Sequence, residues 1–189
     1  MSIPSTPSLE SSVPTSPVTA PPLDPRNLRQ FAGQFPTGVA VVTAYDGTDR
    51  LHGLTLNSVT SVSLDPPLYL VCLNNTSNTL SAIVENRMFG INFLSEHQQS
   101  VSRVFAGKSD NKFDSIPYQR GHQRVPLLQE AVATAVCRVE NIFPGGDHQI
   151  VVGRLETYDI AGGHPLMFLR GQYLSRGESL PSEASAPEG

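Results

Sequence analysis

The feature that most constrains this chain is a pair of long strand-like runs, Ala131–Phe143 and Gln149–Ile160, separated by Pro144-Gly-Gly-Asp-His148. Gly145, Gly146 and Asp147 are what a tight turn between two strands requires. Strands this long must find partners along their whole length, so they predict an extended antiparallel sheet. The runs around them fit. Thr37–Tyr45, Leu51–Ser58, Val59–Leu64, Leu68–Leu73, Met88–Leu94, Leu166–Leu169 and Gln172–Leu174 all read as strands. Helices are expected at 25–35, where Pro25 opens the first turn, at 77–86, capped by Ser77, and at 96–105. Because helices are inserted between strands and do not alternate with them, the pattern predicts a closed β-barrel with two or three peripheral helices. Ala131, Ala133, Ala135 and Cys137 share one strand face, which suits a tightly curved wall or a close subunit contact.

The patterned block runs from residue 26 to 175 as one domain. Before it, residues 1–25 hold seven Pro, six Ser and three Thr but two charged residues, which predicts a disordered lead. Residues 176–189 read the same way. A net charge of −4 with 13 scattered basic residues argues against a nucleic-acid surface. No apolar run reaches membrane-spanning length and no secretory signal opens the chain. Cys72 and Cys137 each lie inside an apolar run, away from any ligand-like spacing, so two buried thiols and a cytoplasmic location are expected.

The chain carries neither a dinucleotide-binding glycine motif nor a P-loop, and its five histidines form no metal-ligand pair. No metal site and no nucleophilic triad are expected. Three polar concentrations remain, each open to two readings. Thr55, Asn57, Ser58, Thr60, Ser61 and Ser63 fall in a strand context without charge, which suits a flat polar heteroaromatic ligand or a solvated strand. Asn74–Thr79 leads into a helix, as a phosphate site or a plain cap. Lys108 and Lys112 lie in a glycine-containing loop that serves a phosphate or merely solvent. His148 likewise is either a hairpin histidine or one held over something reactive.

Taken in order, seven short stretches resemble the short-chain flavin reductase family, the reductase components of two-component flavin monooxygenases. They are Phe35-Pro-Thr-Gly-Val39, Gly53-Leu-Thr-Leu-Asn-Ser58, Ser61-Val-Ser-Leu-Asp-Pro-Pro67, Ser77-Asn-Thr79, Phe105-Ala-Gly107, Gly146-Asp-His148 and Gly171-Gln-Tyr173. The resemblance implies a mainly β fold, the FMN-binding split β-barrel, a Greek-key-like antiparallel barrel with a few peripheral helices. It implies a homodimer with flavin at the subunit boundary, and NADH- or NADPH-dependent reduction of FMN or FAD. Reduced flavin would then diffuse to a separate flavin-dependent monooxygenase. Carried onto this chain, Thr55, Asn57 and Ser58 would line the flavin ring. Ser77 and Thr79, with the loop at Phe105, Ala106 and Lys108, would hold its ribityl phosphate side. Pro36, Thr37 and Gly38 would lie between flavin and nicotinamide, and Val39, Leu56, Val59, Ser61, Asn78 and Tyr173 would be further cofactor-pocket residues. His148 would contact the nicotinamide as the catalytic residue, with Asp147 orienting its ring or completing the turn.

Leu56 stands where many relatives carry a smaller or β-branched residue, which leaves the choice between FMN and FAD open. No Arg/Lys cluster suited to a 2′-phosphate is found, which leans toward NADH. A flavin-binding barrel without reductase activity (a carrier or sensor) is the alternative expectation. An oxidase of a phosphorylated pyridoxine-type substrate would need a more basic pocket. A protein-interaction barrel is the third reading.

Overall fold

The computed structural model describes residues 23–109 and 111–175. The Pro/Ser-rich lead to residue 22 and the stretch 176–189, both expected to be disordered, lie outside the described residues.

The described residues form three α-helices and twelve strands in the order α1 (Pro25–Ala32), β1 (Thr37–Gly38), β2 (Ala40–Tyr45), β3 (Leu51–Leu56), β4 (Val59–Leu64), β5 (Pro67–Asn74), α2 (Asn78–Asn86), β6 (Met88–Phe93), α3 (Gln99–Ala106), β7 (Tyr118–Arg120), β8 (Pro126–Leu128), β9 (Ala133–Gly145), β10 (His148–Ile160), β11 (Met167–Leu169) and β12 (Gln172–Leu174). A short 3₁₀ turn at His122–Arg124 joins β7 to β8. Seven strands make one antiparallel sheet in the order β3-β2-β6-β9-β10-β5-β4. The predicted hairpin is its spine, with β9 paired to β10 from Ala133–Ile160 to Gly145–His148.

The connectivity dictates the shape. β3 and β4 stand at opposite edges of the sheet, yet only Asn57 and Ser58 separate them in sequence. Two residues reach on the order of 10 Å, so the sheet must roll until its edges approach at that point. Ser58 is clamped there: its hydroxyl donates to the Cys72 carbonyl at 3.0 Å, and the Cys72 N–H donates back to the Ser58 carbonyl at 3.2 Å. No ladder joins β3 to β4 among the described residues. The roll is therefore a split barrel, not the fully closed one that strand pattern alone predicts.

Ala40, Val42, Phe89, Ile91, Cys137 and Val151 fill the barrel, with Leu80 and Ile83 of α2 packed onto them. Each fully buried aliphatic side chain contributes about 1.5–3 kcal/mol. Of the small face expected at Ala131, Ala133, Ala135 and Cys137, Ala135 and Cys137 belong to this interior. A Cβ on Gly153 of β10 would stand 2.5 Å from the Phe89 ring and 2.9 Å from Cys137 Cβ. The glycine lets the phenyl ring reach the wall, and the ladder shifts register beside it, between Val152 and Gly153.

Two expectations change. Thr37–Tyr45 is not one strand: it breaks at Val39, so β1 joins a separate sheet, β1-β11-β12, while β2 enters the barrel. Val39 is still satisfied, its N–H donating to Leu166 and its carbonyl accepting from Leu94. The β7–β8 pair was unread in the sequence. It is held by buried Asn92, whose amide donates to the Val41 carbonyl at 2.9 Å and accepts the Leu128 N–H at 2.7 Å.

Candidate active site

Two clefts follow one another along β3. The smaller, about 220 Å³, is walled by Val39, Thr55, Leu56 and Asn57, by Ala106 at the end of α3, and by Phe168 and Tyr173 of the small sheet. The larger, about 370 Å³, takes the preceding residues of β3, the loop that starts α2, and the segment after α3. The break at Val39 builds the first cleft, because it lets the small sheet lean its aromatic residues over the barrel edge.

The smaller cleft is neutral. Thr55 Oγ1 donates to the Ser102 carbonyl at 2.7 Å, which leaves its lone pairs toward the cleft. Ser102 is fully buried, and its Oγ lies 2.9 Å from the Tyr173 hydroxyl. The Tyr173 ring packs edge-on against Phe168, centroids 5.2 Å apart, and Arg103 lies 5.9 Å over its face. Thr37, paired with Phe168 across β1 and β11, has a buried hydroxyl with no hydrogen-bond partner among the described residues. Burying a hydroxyl unpaired costs about 1–3 kcal/mol, so an orphan beside a cleft fits a bound polar group.

The larger cleft is cationic. Among the described residues, Lys108, Lys112 and His52 line it with no carboxylate, and the Ser77-capped start of α2 faces it with Asn78 and Thr79. Lys112 donates to the carbonyls of Gly53 and Phe105, both at 3.0 Å. His52 Nε2 lies 2.9 Å from Asp46 Oδ2. That bond, with the Thr48 hydroxyl and the Thr48 and Arg50 amides, holds the Asp46 carboxyl far below the usual range.

Of the expected site residues, Val39, Thr55, Leu56, Asn57, Ala106 and Tyr173 come together in the smaller cleft, and Ser77, Asn78, Thr79 and Lys108 in the larger. Thr37 and Gly38 adjoin the smaller cleft through the β1–β11 pairing, and Pro36 immediately precedes β1. Ser58, Val59 and Ser61 lie outside both clefts of the single chain: Ser58 is clamped to β5, Val59 packs on the core, and Ser61 is exposed on β4. Phe105 is fully buried, its ring 5.0 Å from Phe113 and packed behind Gly53. It backs the cleft and contributes only its carbonyl, which holds Lys112. His148 lies outside both, opposite Asn74 in the β10–β5 ladder.

The turn that carries His148 is tighter than expected. Pro144 and Gly145 belong to β9, and only Gly146 and Asp147 form the loop. Gly146 has φ +72° and Asp147 does not share a positive φ, the pattern of a II′ turn with glycine first. His148 Nδ1 lies 2.7 Å from Asp147 Oδ1. A carboxylate only accepts, so Nδ1 carries the proton and Nε2 faces outward. The same bond holds the Asp147 carboxyl below its ordinary value. Asp147 thus both orients the ring and completes the turn.

His52, Ser102 and Phe168 line these clefts without having been singled out as site residues, while Lys112, read from the sequence as a loop lysine open to a phosphate or solvent, lines the larger one. Only Ser102 left a usable signal: a hydroxyl three positions before Phe105, on the buried face of α3.

Comparison with known proteins settles what this arrangement belongs to. Residues 32–176 match the flavin reductase like domain. The chain belongs to that family. A probable flavin reductase of Rhizobium meliloti is 38% identical over 91% of this chain, which spans 55% of that longer protein. The reductase subunit of stachydrine N-demethylase, from the same organism, is 38% identical over 88% of this chain and 72% of its own length. Among solved structures, a Streptomyces globisporus NADH:FAD oxidoreductase in complex with NAD and FAD fragments superposes with a TM-score of 0.76 at 32% identity, covering 87% of this chain and all of its own. With that family in view, the neutral cleft suits an isoalloxazine ring and the cationic one a phosphate.

Proposed function

We propose that this protein is an NAD(P)H:flavin oxidoreductase. It transfers a hydride from NADH or NADPH to FMN or FAD and supplies the reduced flavin to a partner monooxygenase. The observation that carries this reading is the succession along β3 of a neutral, aromatic-walled cleft and a cationic one. The reductase-subunit relative and the NADH:FAD oxidoreductase structure support it.

Flavin, when bound, supplies the electronics of hydride acceptance, so the protein needs no strong acid or nucleophile. Its task is placement. Thr55, Asn57 and the unpartnered Thr37 hydroxyl offer neutral hydrogen bonds to the ring, and Leu56, Phe168 and Tyr173 shield it from water. Ser77, Asn78, Thr79, Lys108, Lys112 and His52 hold the phosphate. Pro36, Gly38 and Val39 leave the ring's face accessible, and His148 receives the nicotinamide side through its outward Nε2. Residues 26–175 form the catalytic domain.

The active form is a homodimer with flavin at the subunit boundary. This is supported by α1, none of whose residues is buried: Leu28, Phe31 and the nearby Phe35 are 45%, 80% and 74% exposed. An isolated eight-residue helix is unstable in water, so this apolar stripe needs a partner surface. The location is cytoplasmic, consistent with two free thiols. Among the described residues, no helix is long and apolar enough to cross a membrane.

Steady-state oxidation of NADH and NADPH, each with FMN and with FAD, tests the reading. Flavin-stimulated oxidation is expected. Its absence in all four combinations would leave a flavin carrier or sensor.

A further inference from the structure

Asn75 occupies the loop between β5 and α2, and neither cleft uses its side chain. It nevertheless makes three hydrogen bonds to the turn that carries His148. Its N–H donates to the Asp147 carbonyl at 3.0 Å, its Nδ2 donates to the Gly146 carbonyl at 3.1 Å, and its Oδ1 accepts from Gln149 Nε2 at 2.9 Å. One side chain thus brackets both sides of the Asp147–His148 pair. The neighbouring residue continues the connection. Asn74 Oδ1 accepts from the Thr76 N–H at 3.0 Å and the Thr76 hydroxyl at 2.7 Å, and its carbonyl accepts the Ser77 N–H at 3.0 Å. Asn74, Thr76 and Ser77 line the cationic cleft. The histidine turn and the phosphate-facing loop are therefore one hydrogen-bonded body.

We infer that Asn75 is a positioning residue, which fixes the His148 imidazole relative to the flavin-phosphate loop so that flavin binding sets the nicotinamide contact. The inference rests on the flavin reductase reading above. Chain connectivity alone does not supply this link, since 71 residues separate Asn75 from Gly146. The β5–β10 and β9–β10 ladders both end at His148, so neither fixes the tilt of the two-residue turn against the β5–α2 loop. The three bonds from Asn75 remove that freedom.

The test compares wild type, Asn75→Ala, His148→Ala and the double variant, with NADH and FMN as substrates. Loss of the side-chain bonds is expected to raise KM for NADH about fivefold in Asn75→Ala, with KM for FMN and thermal stability nearly unchanged. In the His148→Ala background the same change should add less than about twofold, because residues acting through one another are not additive. Gln149→Met, which removes only the bond to Oδ1, should shift KM for NADH in the same direction by less. A second readout needs no turnover. In ¹⁵N-labelled wild type, FMN alone should shift the amides of Gly146–Gln149 together with those of Thr76–Thr79. In Asn75→Ala only the second group should respond. An unchanged KM for NADH, a fully multiplicative double variant, or undiminished Gly146–Gln149 shifts in Asn75→Ala would each overturn the inference. An inactive wild type would instead overturn the reductase reading beneath it.

Discussion

At the scale of single residues, chemistry is set by who holds whom. Asp147 accepts a hydrogen bond from Nδ1–H of His148 and thereby leaves Nε2 as the ring nitrogen open to a ligand. A neutral imidazole so held accepts at Nε2 and donates there only when protonated, which sharpens the bare expectation of a histidine near the nicotinamide. His148→Ala is expected to raise KM for NADH about tenfold with little change in KM for flavin, read from steady-state kinetics. Asp46 works the other way, through stability. Its carboxyl is depressed by His52, Thr48 and Arg50. A depressed carboxylate stabilises the fold above the unfolded-state pKa, and that contribution is lost as pH falls through the folded value. Asp46→Asn should therefore melt below wild type at neutral pH. The gap should close only in strong acid, well under the ordinary aspartate value of about 3.9. Melting curves across that range check the sign. Motif order made most cleft residues legible in the sequence. Phe168 was not, because an aromatic residue in a three-residue strand looks like ordinary core, and Ser102 signalled itself only by its spacing, three positions before Phe105.

Elements were readable where they were long or capped. β9 and β10 announced themselves by length and by the glycine turn, and α2 by Ser77, whose hydroxyl accepts the Leu80 N–H. The break at Val39 could not be read, since Val39 and Ala40 are equally apolar and equally suited to either sheet. β7 and β8 are three residues each, too short for periodicity, and they owe their place to the distant side chain of Asn92. The strand interior also carries a test. Gly153→Ala would force a methyl group against Phe89 and Cys137, and overpacking of this kind costs about 1–3 kcal/mol. Urea unfolding should show a lower midpoint with the slope retained. A midpoint equal to wild type would mean that the Phe89 ring yields freely.

At the scale of the whole molecule, two residues between opposite sheet edges compel the roll, and the roll positions the clefts. The sequence already contained that two-residue link, but not the strand order that gives it meaning. The proposed homodimer is tested at this scale as well. Sedimentation of the full chain should give twice the monomer mass, and Phe31→Asp combined with Phe35→Asp should shift it toward monomer. A wild type that stays monomeric at micromolar concentration would contradict the dimer. Anaerobic mixing tests the proposed hydride transfer from nicotinamide to flavin most directly. Oxidised-flavin absorbance is followed after the protein meets NADH with FMN, then with FAD, and then with NADPH in place of NADH. Bleaching at a rate proportional to protein concentration is expected with at least one pair. Bleaching no faster than in protein-free controls, for every pair, would contradict it.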